Sequence, residues 1–197
     1  MPELPEVQTT VNGLNKKVLN RAFVDVWTDW KKIIKKPVNF GQFKKEIKNK
    51  KIKKIWRRAK NIIFDLSGNY SLLVHQKMTG HFLIGCWVLE NGYWKPKEKG
   101  PLEDPFNRYI HLMFWLSGGL MLALSDLRKF AKVELWKTND LLNSKEFKNL
   151  GPEPLKKSFT FNLVFQANDR TLKDEEVDKA MTAIHNALTN ELNAKLR

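Results

Sequence analysis

The segment MPELPEVQTTVNGLNKKVLN, residues 1–20, decides how the rest of the chain is read. Leu4, Val7, Val11, Leu14 and Val18 recur at spacings of three and four, which puts one apolar stripe along a helix predicted over residues 3–19. Pro2 and Pro5 fall at or before its first turn, where a missing N–H is tolerated. A helix with one apolar stripe needs a surface to cover it, and strand-like segments follow. Residues 22–27 read as a strand, with Phe23 on the opposite side of the pleat from Val24 and Val26. GQFKKEIKN, beginning just after Phe40, suits a short helix. KIKKIWRRAK (51–60), NIIFDL (61–66) and SLLVHQK (71–77) then read as successive strands, with SGNY turning the last two into a hairpin.

Residues 90–108 are looser, carrying Gly92, Pro96, Gly100, Pro101 and Pro105. Two further strands, YIHLMFWL and LMLALSD, are joined through Ser117-Gly118-Gly119. KVELW makes another strand, and a small helix is predicted over residues 138–148. The first part is therefore an α+β unit in which one helix leads a β-rich domain. LGPEPL (150–155) marks a boundary, with two prolines and a glycine. Beyond it, Phe159, Phe161, Leu163 and Phe165 alternate as the apolar face of a strand. Val177, Met181, Ile184, Leu188 and Leu192 then describe an amphipathic helix, acidic at its start. The expected organisation is residues 1–149 as one domain, 150–157 as a linker and 158–197 as a separate strand–helix segment.

The net charge of +14 favours a polyanionic partner, and nucleic acid is the leading class. No apolar run reaches spanning length and no cleavable leader is evident, so no membrane partner and a cytoplasmic setting are expected. With Cys86 as the only cysteine, the sequence holds neither an intramolecular disulfide nor a cysteine zinc site. Its four histidines show no metal-ligand spacing. No metal or cofactor is expected. The basic run from Lys44 to Lys60 would present alternate lysines on one strand face, suited to tracking phosphates.

Chemistry enters at Met1-Pro2-Glu3. A small second residue favours removal of the initiator methionine, exposing a secondary amine on Pro2. An α-amino group titrates near about 8, against about 10.4 for a lysine side chain, so more of it is a free nucleophile at neutral pH. A secondary amine attacking a sugar C1′ yields an iminium, which makes β-elimination of a phosphate feasible. Glu3 stands beside it as a proton donor or shuttle.

MPELPEV, RRAK (57–60), HQKMTG (75–80), SDLRKFA (125–131) and LGPEPL, in that order, resemble the formamidopyrimidine-DNA glycosylase family, which includes endonuclease VIII. The resemblance covers about 155 residues. It implies a helix-led two-layer β-sandwich and a catalytic set of Pro2, Glu3 and Lys60. It also implies DNA contacts through His75, Met78, Arg128 and Phe130, with Glu6, Arg57 and Arg58 alongside. A glycosylase extrudes its target base and fills the hole, at a cost of a few kcal/mol. Met78 and Phe130 suit the apolar wedge, and Arg128 can bond the widowed partner base. The implied partner is damaged double-stranded DNA in a bacterial-type, nucleoid-associated setting.

Departures from the family are as informative. It usually continues past LGPEPL into a helix–two-turn–helix domain and a four-cysteine zinc finger, and neither is recognisable in this sequence. Lys129 and Ala131 replace a commoner Arg and Gly. The tail, FTFNLVFQANDRTLKDEEVDKAMTAIHNALTNELNAKLR, resembles instead the end of the ferredoxin-like anticodon-binding domain that closes the phenylalanyl-tRNA synthetase β subunit. Half such a domain leaves an apolar strand and helix seeking a partner, which makes oligomerisation through the tail an expectation and a joining of unrelated frames the inferred origin. The functional expectation is a bifunctional glycosylase and abasic-site lyase acting on oxidised purines through a Pro2 Schiff base. The alternatives are a truncated, weakly active or inactive nucleic-acid-binding remnant and a tRNA-binding, synthetase-associated module.

Overall fold

The computed structural model describes residues 2–151, 153, 165–167 and 170–192. The chain divides into two compact units, 1–153 and 154–197. In the first, helix α1 (Leu4–Val18) buries Val7, Val11, Leu14 and Val18, the stripe that the spacing predicts. It leads a sandwich of two sheets. One has the order β1-β9-β10-β6, from β1 (Phe23–Trp27), β6 (His81–Gly85), β9 (Ile110–Leu116) and β10 (Met121–Ser125). The other has the order β2-β11-β5-β4-β3, from β2 (Ile34–Lys36), β3 (Ile52–Arg58), β4 (Asn61–Leu66), β5 (Tyr70–His75) and β11 (Lys132–Lys137). Neighbours pair antiparallel except β2 with β11.

The main core joins α1 to the inward rows of both sheets, including Phe23, Phe43, Phe64, Leu72, Leu112, Phe114 and Leu122. Phe43 comes from α2 (Phe40–Ile47), whose first turn is capped by the Asn39 side chain accepting from Gln42 N–H. The outer face of the five-stranded sheet carries a smaller cluster. There Trp56, Ile63 and Leu73 meet Leu141 and Phe147 of α3 (Thr138–Asn143) and α4 (Lys145–Lys148). The single helix predicted over 138–148 is thus broken at Ser144, whose side chain caps α4 by accepting from Phe147 N–H.

The edge of β3 is closed by a side chain. Asn15 of α1 donates to the Ile55 carbonyl at 2.8 Å and accepts from the Ile55 N–H at 3.3 Å. A carboxamide has the donor and acceptor of a peptide group, so it substitutes for the missing neighbour strand. The turn at Ser117-Gly118-Gly119 has φ of 81° and 77° at its two glycines, a pair of values suited to a tight hairpin between twisted strands.

Some expectations need correction. Phe23 and Val26 are buried in the same core while Val24 is 45% exposed, because a bulge between Phe23 and Asp25 shifts the pleat. The lysine run does not form one alternating row. It passes from α2 through a turn into β3, and an irregularity between Ile52 and Lys54 turns both Lys53 and Lys54 outward. The loose stretch holds a hairpin, β7 (Trp87–Glu90) with β8 (Tyr93–Pro96). Trp94 of that hairpin packs on Trp27 and Trp115, over the outer face of the four-stranded sheet.

In the second unit, α5 (Asp174–Leu192) follows the predicted amphipathic helix. Arg170 pairs with Glu176, and Glu176 also accepts from Lys173 N–H at 3.0 Å, tying down the start of that helix. The strand expected at Phe159, Phe161 and Leu163 lies outside the described residues. No described helix is long and apolar enough to cross a membrane.

Candidate active site

Helix α1 runs antiparallel to β3. Asn15 meets Ile55, and about two turns earlier Gln8 accepts from Arg57 Nε at 2.9 Å. Following the helix back toward Pro2 therefore leads toward the β3–β4 turn at Ala59-Lys60. At the helix start, Glu6 reaches back and its carboxylate accepts from the Glu3 N–H at 3.1 Å. That bond satisfies one of the free donors of the first turn and fixes the backbone that carries Pro2 and Glu3.

Arg57 and Arg58 are engaged within the protein. Arg57 binds Gln8, and its guanidinium also meets the Glu153 carboxylate, whose other oxygen accepts from the Ala59 N–H. Arg58 donates to the Leu150 carbonyl at 2.9 Å. Burial alone would raise the Glu153 carboxyl. The Ala59 N–H, the Arg57 guanidinium and the charge of Arg58 outweigh it and hold the group below the usual carboxylate range. Ala59 has a φ of 49°, unusual for a residue with a Cβ, so Glu153 holds a turn that would otherwise relax. Lys60 rides on that turn.

His75 ends β5, opposite Asn61 on one side and Lys132 on the other. Burial, then the charges of Lys77, Lys132 and Lys60, depress its pKa to about 4. It is thus neutral at physiological pH. Its Nδ1 accepts from the Lys77 N–H at 3.0 Å, which leaves the proton on Nε2 as a free donor among three ammonium groups. A cavity of about 340 Å³ is lined by His75, Lys77 and Lys132 together with Trp136 and Phe147. Pro2 does not line it.

The chain then enters the loop bearing Met78, while residues 126–131 form the loop before β11. Both side chains expected at the wedge are outward, Met78 at 46% and Phe130 at 49% exposure, and neither belongs to the core. Arg128 lies between them, donating to Met78 Sδ at 3.0 Å with its guanidinium 4.7 Å from the Phe130 ring. Thr79 and Asp126 join the loops. The Thr79 hydroxyl donates to Asp126, accepts from the Arg128 N–H at 3.1 Å, and the other Asp126 oxygen accepts from the Ala131 N–H at 2.7 Å. Asp126 is fully buried.

Sequence order hides this convergence and sheet order explains it. Strands β3, β4, β5 and β11 are consecutive neighbours, so the turn with Lys60, the end of β5 and the loop into β11 share one end. Asp126, Thr79, Gln8 and Glu153 were not singled out from the sequence. All four lie inside segments that the sequence marks out, and only their bonds set them apart.

A helix-led two-layer β-sandwich with its loops gathered at one electropositive end is the architecture of a glycosylase N-terminal domain. The family model described as formamidopyrimidine-DNA glycosylase N-terminal domain matches residues 1–133. The chain belongs to the formamidopyrimidine-DNA glycosylase family. A second model, the ferredoxin-fold anticodon binding domain, matches residues 137–197, starting at the last residue of β11 and taking in α3 and α4. A formamidopyrimidine-DNA glycosylase of Pelotomaculum thermopropionicum is 37% identical over 160 residues, covering 81% of this chain and 52% of the relative. One from Ligilactobacillus salivarius is 30% identical over 187 residues, covering 93% and 61%. The Lactococcus lactis enzyme, crystallised with DNA containing FAPY-dG, superposes with a TM-score of 0.63 at 30% identity, over 77% of this chain and 51% of that one. The chain thus spans about half the length of the curated relatives it matches.

Proposed function

We propose that residues 1–153 form the catalytic domain of a DNA glycosylase with abasic-site lyase activity, with the Pro2 amine as nucleophile. The observation that carries this reading is the run of α1 against β3, which directs Pro2 and Glu3 toward the turn that presents Lys60. The unprotonated Pro2 nitrogen attacks C1′ of the damaged nucleoside, an N–C bond forms, and the glycosidic bond breaks as the base leaves with its electron pair and gains a proton. Loss of the nitrogen's own proton and protonation of the sugar ring oxygen by Glu3 open the ring to the iminium. Removal of a C2′ proton then expels the 3′ phosphate. Lys60 and the Nε2–H of His75 hold flanking phosphates, Met78 and Phe130 fill the vacated stack, and Arg128 bonds the partner base. Glu6 positions Glu3, while Arg57 and Arg58 act on the DNA indirectly, by holding the Lys60 turn. Oxidised purines are the proposed lesions.

The charge around His75 favours a second reading. Lys60, Lys77 and Lys132 gather at one end of the domain, which suits a grip on DNA that excises no base. The two readings part on an oligonucleotide duplex holding one formamidopyrimidine base. Release of that base and strand scission by β-elimination are expected from the intact chain with a free Pro2. Binding without release, and with equal affinity for undamaged duplex, would select the second reading.

A further inference from the structure

We propose that the cavity between the five-stranded sheet and α3–α4 binds a nucleoside 5′-monophosphate whose base is unpaired. Its floor is graded by sheet register. Asn61, His75 and Lys132 stand directly opposite one another on β4, β5 and β11, one polar row at the end of the sheet. Two residues further in, Leu73 stands opposite Glu134, and Trp136 is two further along β11. Side chains two apart on a strand share a face, so these rows lie on the face that α3 and α4 cover. Leu141 and Phe147, from the two helices, form the other wall, and Phe147 is held edge-on against Trp56 at 6.1 Å. The cavity is thus cationic at one end and aromatic at the other. Its volume of about 340 Å³ falls within the range of small-molecule sites.

The cationic end has the parts of an anion site. A backbone N–H only donates, so the bond from Lys77 N–H to His75 Nδ1 at 3.0 Å leaves the ring's proton on Nε2. The same bond holds Lys77 at a φ of 59°, a left-handed value unusual for a residue with a side chain. Among the described residues neither the Lys77 nor the Lys132 ammonium forms an ion pair, although Glu134 and Glu146 also line the cavity. Glu134 accepts instead from the indole Nε1–H of Trp136 at 3.1 Å. Opposite charges held apart in one cavity orient a ligand. Phosphate goes to the two ammoniums and the Nε2–H, and the carboxylates are left for base N–H groups. The aromatic wall suits the face of any base. A base paired within a duplex has both faces covered by its neighbours and cannot enter. The ligand is therefore a free nucleotide or the unpaired 5′-terminal nucleotide of a strand. β-Elimination leaves such a 5′-phosphate on the downstream fragment; that link rests on the proposed reaction, whereas the chemistry of the cavity does not.

Titration of the whole chain with dGMP, followed by the indole N–H signal of Trp136 and the ring signals of His75, tests the assignment. Saturable shifts at both residues are expected, with a Kd of about 1 mM or tighter. Deoxyguanosine and inorganic phosphate should each bind about tenfold more weakly or worse, because each fills one end only. Lys132→Gln, at an exposed position, should weaken dGMP about tenfold with a native amide spectrum. Phe147→Leu keeps an apolar wall without the ring, and should weaken dGMP while leaving inorganic phosphate unchanged. No shift at Trp136 and His75, or inorganic phosphate binding as well as dGMP, would overturn the proposal. So would unchanged affinity in a natively folded Lys132→Gln chain. A short single strand with a 5′-phosphate, compared with its 5′-hydroxyl form, identifies the source of the nucleotide. Binding of the phosphorylated strand more tightly than dGMP assigns the cavity to a cleaved strand end, and equal binding of the two strands assigns it to the free nucleotide. No arm contains a lesion, so a chain that releases no base can still bind dGMP, and one that cleaves DNA can still fail to.

Discussion

Asp126 and Thr79 lock together the two loops that carry the exposed Met78 and Phe130, and they do so from a fully buried carboxylate. An acid out of water is tolerated only when its oxygens are satisfied, and here one meets the Thr79 hydroxyl and the other the Ala131 N–H at 2.7 Å. Asp126→Ala leaves both donors without a partner. A loss of about 2–4 kcal/mol in urea unfolding is expected, since hydrogen bonds to charged groups contribute roughly 1.5–3 kcal/mol and the abandoned donors add a desolvation cost. Thr79→Val, which leaves the Ala131 bond intact, should cost less, about 1–2 kcal/mol.

Glu153→Gln tests the clamp on the Lys60 turn. The carboxyl is held below its ordinary value, so its contribution is fully present above the unfolded value of about 4.3 and is lost as pH falls through the folded value. The pair is partly exposed, with side chains at 18% and 29%, so the loss at neutral pH is expected near 1 kcal/mol. Denaturant titrations at pH 7 and at about pH 3 check this, because the gap between wild type and variant should narrow at the lower pH.

His75 gives the opposite acid signature from a carboxylate-paired histidine. Its pKa is depressed to about 4, so the fold favours the neutral ring. The stability this confers is present above the unfolded value of about 6.5 and is lost as pH falls toward the folded value. Asn at this position keeps an acceptor for the Lys77 N–H without titrating. His75→Asn should therefore lose less stability than wild type between pH 7 and about 4.5, as read by thermal unfolding. If Nε2–H meets a phosphate, the same variant binds duplex several-fold more weakly at every salt concentration.

Much of this fold was legible in the sequence. The three-and-four spacing from Leu4 to Val18 is a helix because nothing in that span breaks it, and Val7, Val11, Leu14 and Val18 of the stripe are buried while Leu4 at its start is half-buried. The hairpins at residues 67–70 and 117–119 carry their turn chemistry openly. What escaped were features set by tertiary context. The bulge after Phe23 reversed the pleat of a strand whose alternation looked regular, and β2 is too short to show a period. The hairpin of Trp87–Glu90 and Tyr93–Pro96 lies among prolines and glycines, and a layer of tryptophans holds it. For the site, Pro2 stands out by its chemistry, and Met78 and Phe130 through the family-like motifs that hold them. Asp126, Glu153 and Asn15 do not, because a carboxylate or amide in a loop or helix reads as solvated until its partners are known.

Asn15→Leu tests the closure of the β3 edge. The variant retains a good helix former but returns the Ile55 N–H and carbonyl to an open edge. A loss of about 1–3 kcal/mol is expected, together with faster hydrogen exchange at Ile55 and Arg57. Unchanged exchange at Ile55 would mean that the amide is not the strand's partner.

The proposed chemistry turns on one bond, from the Pro2 nitrogen to the sugar C1′, and borohydride trapping reads it directly. Protein whose mass shows Met1 removed and Pro2 free is mixed with duplex containing an abasic site and reduced. A covalent protein–DNA adduct is expected, with the peptide map placing the DNA on Pro2. No adduct from protein with a verified Pro2 terminus, or an adduct on a lysine instead, would contradict it.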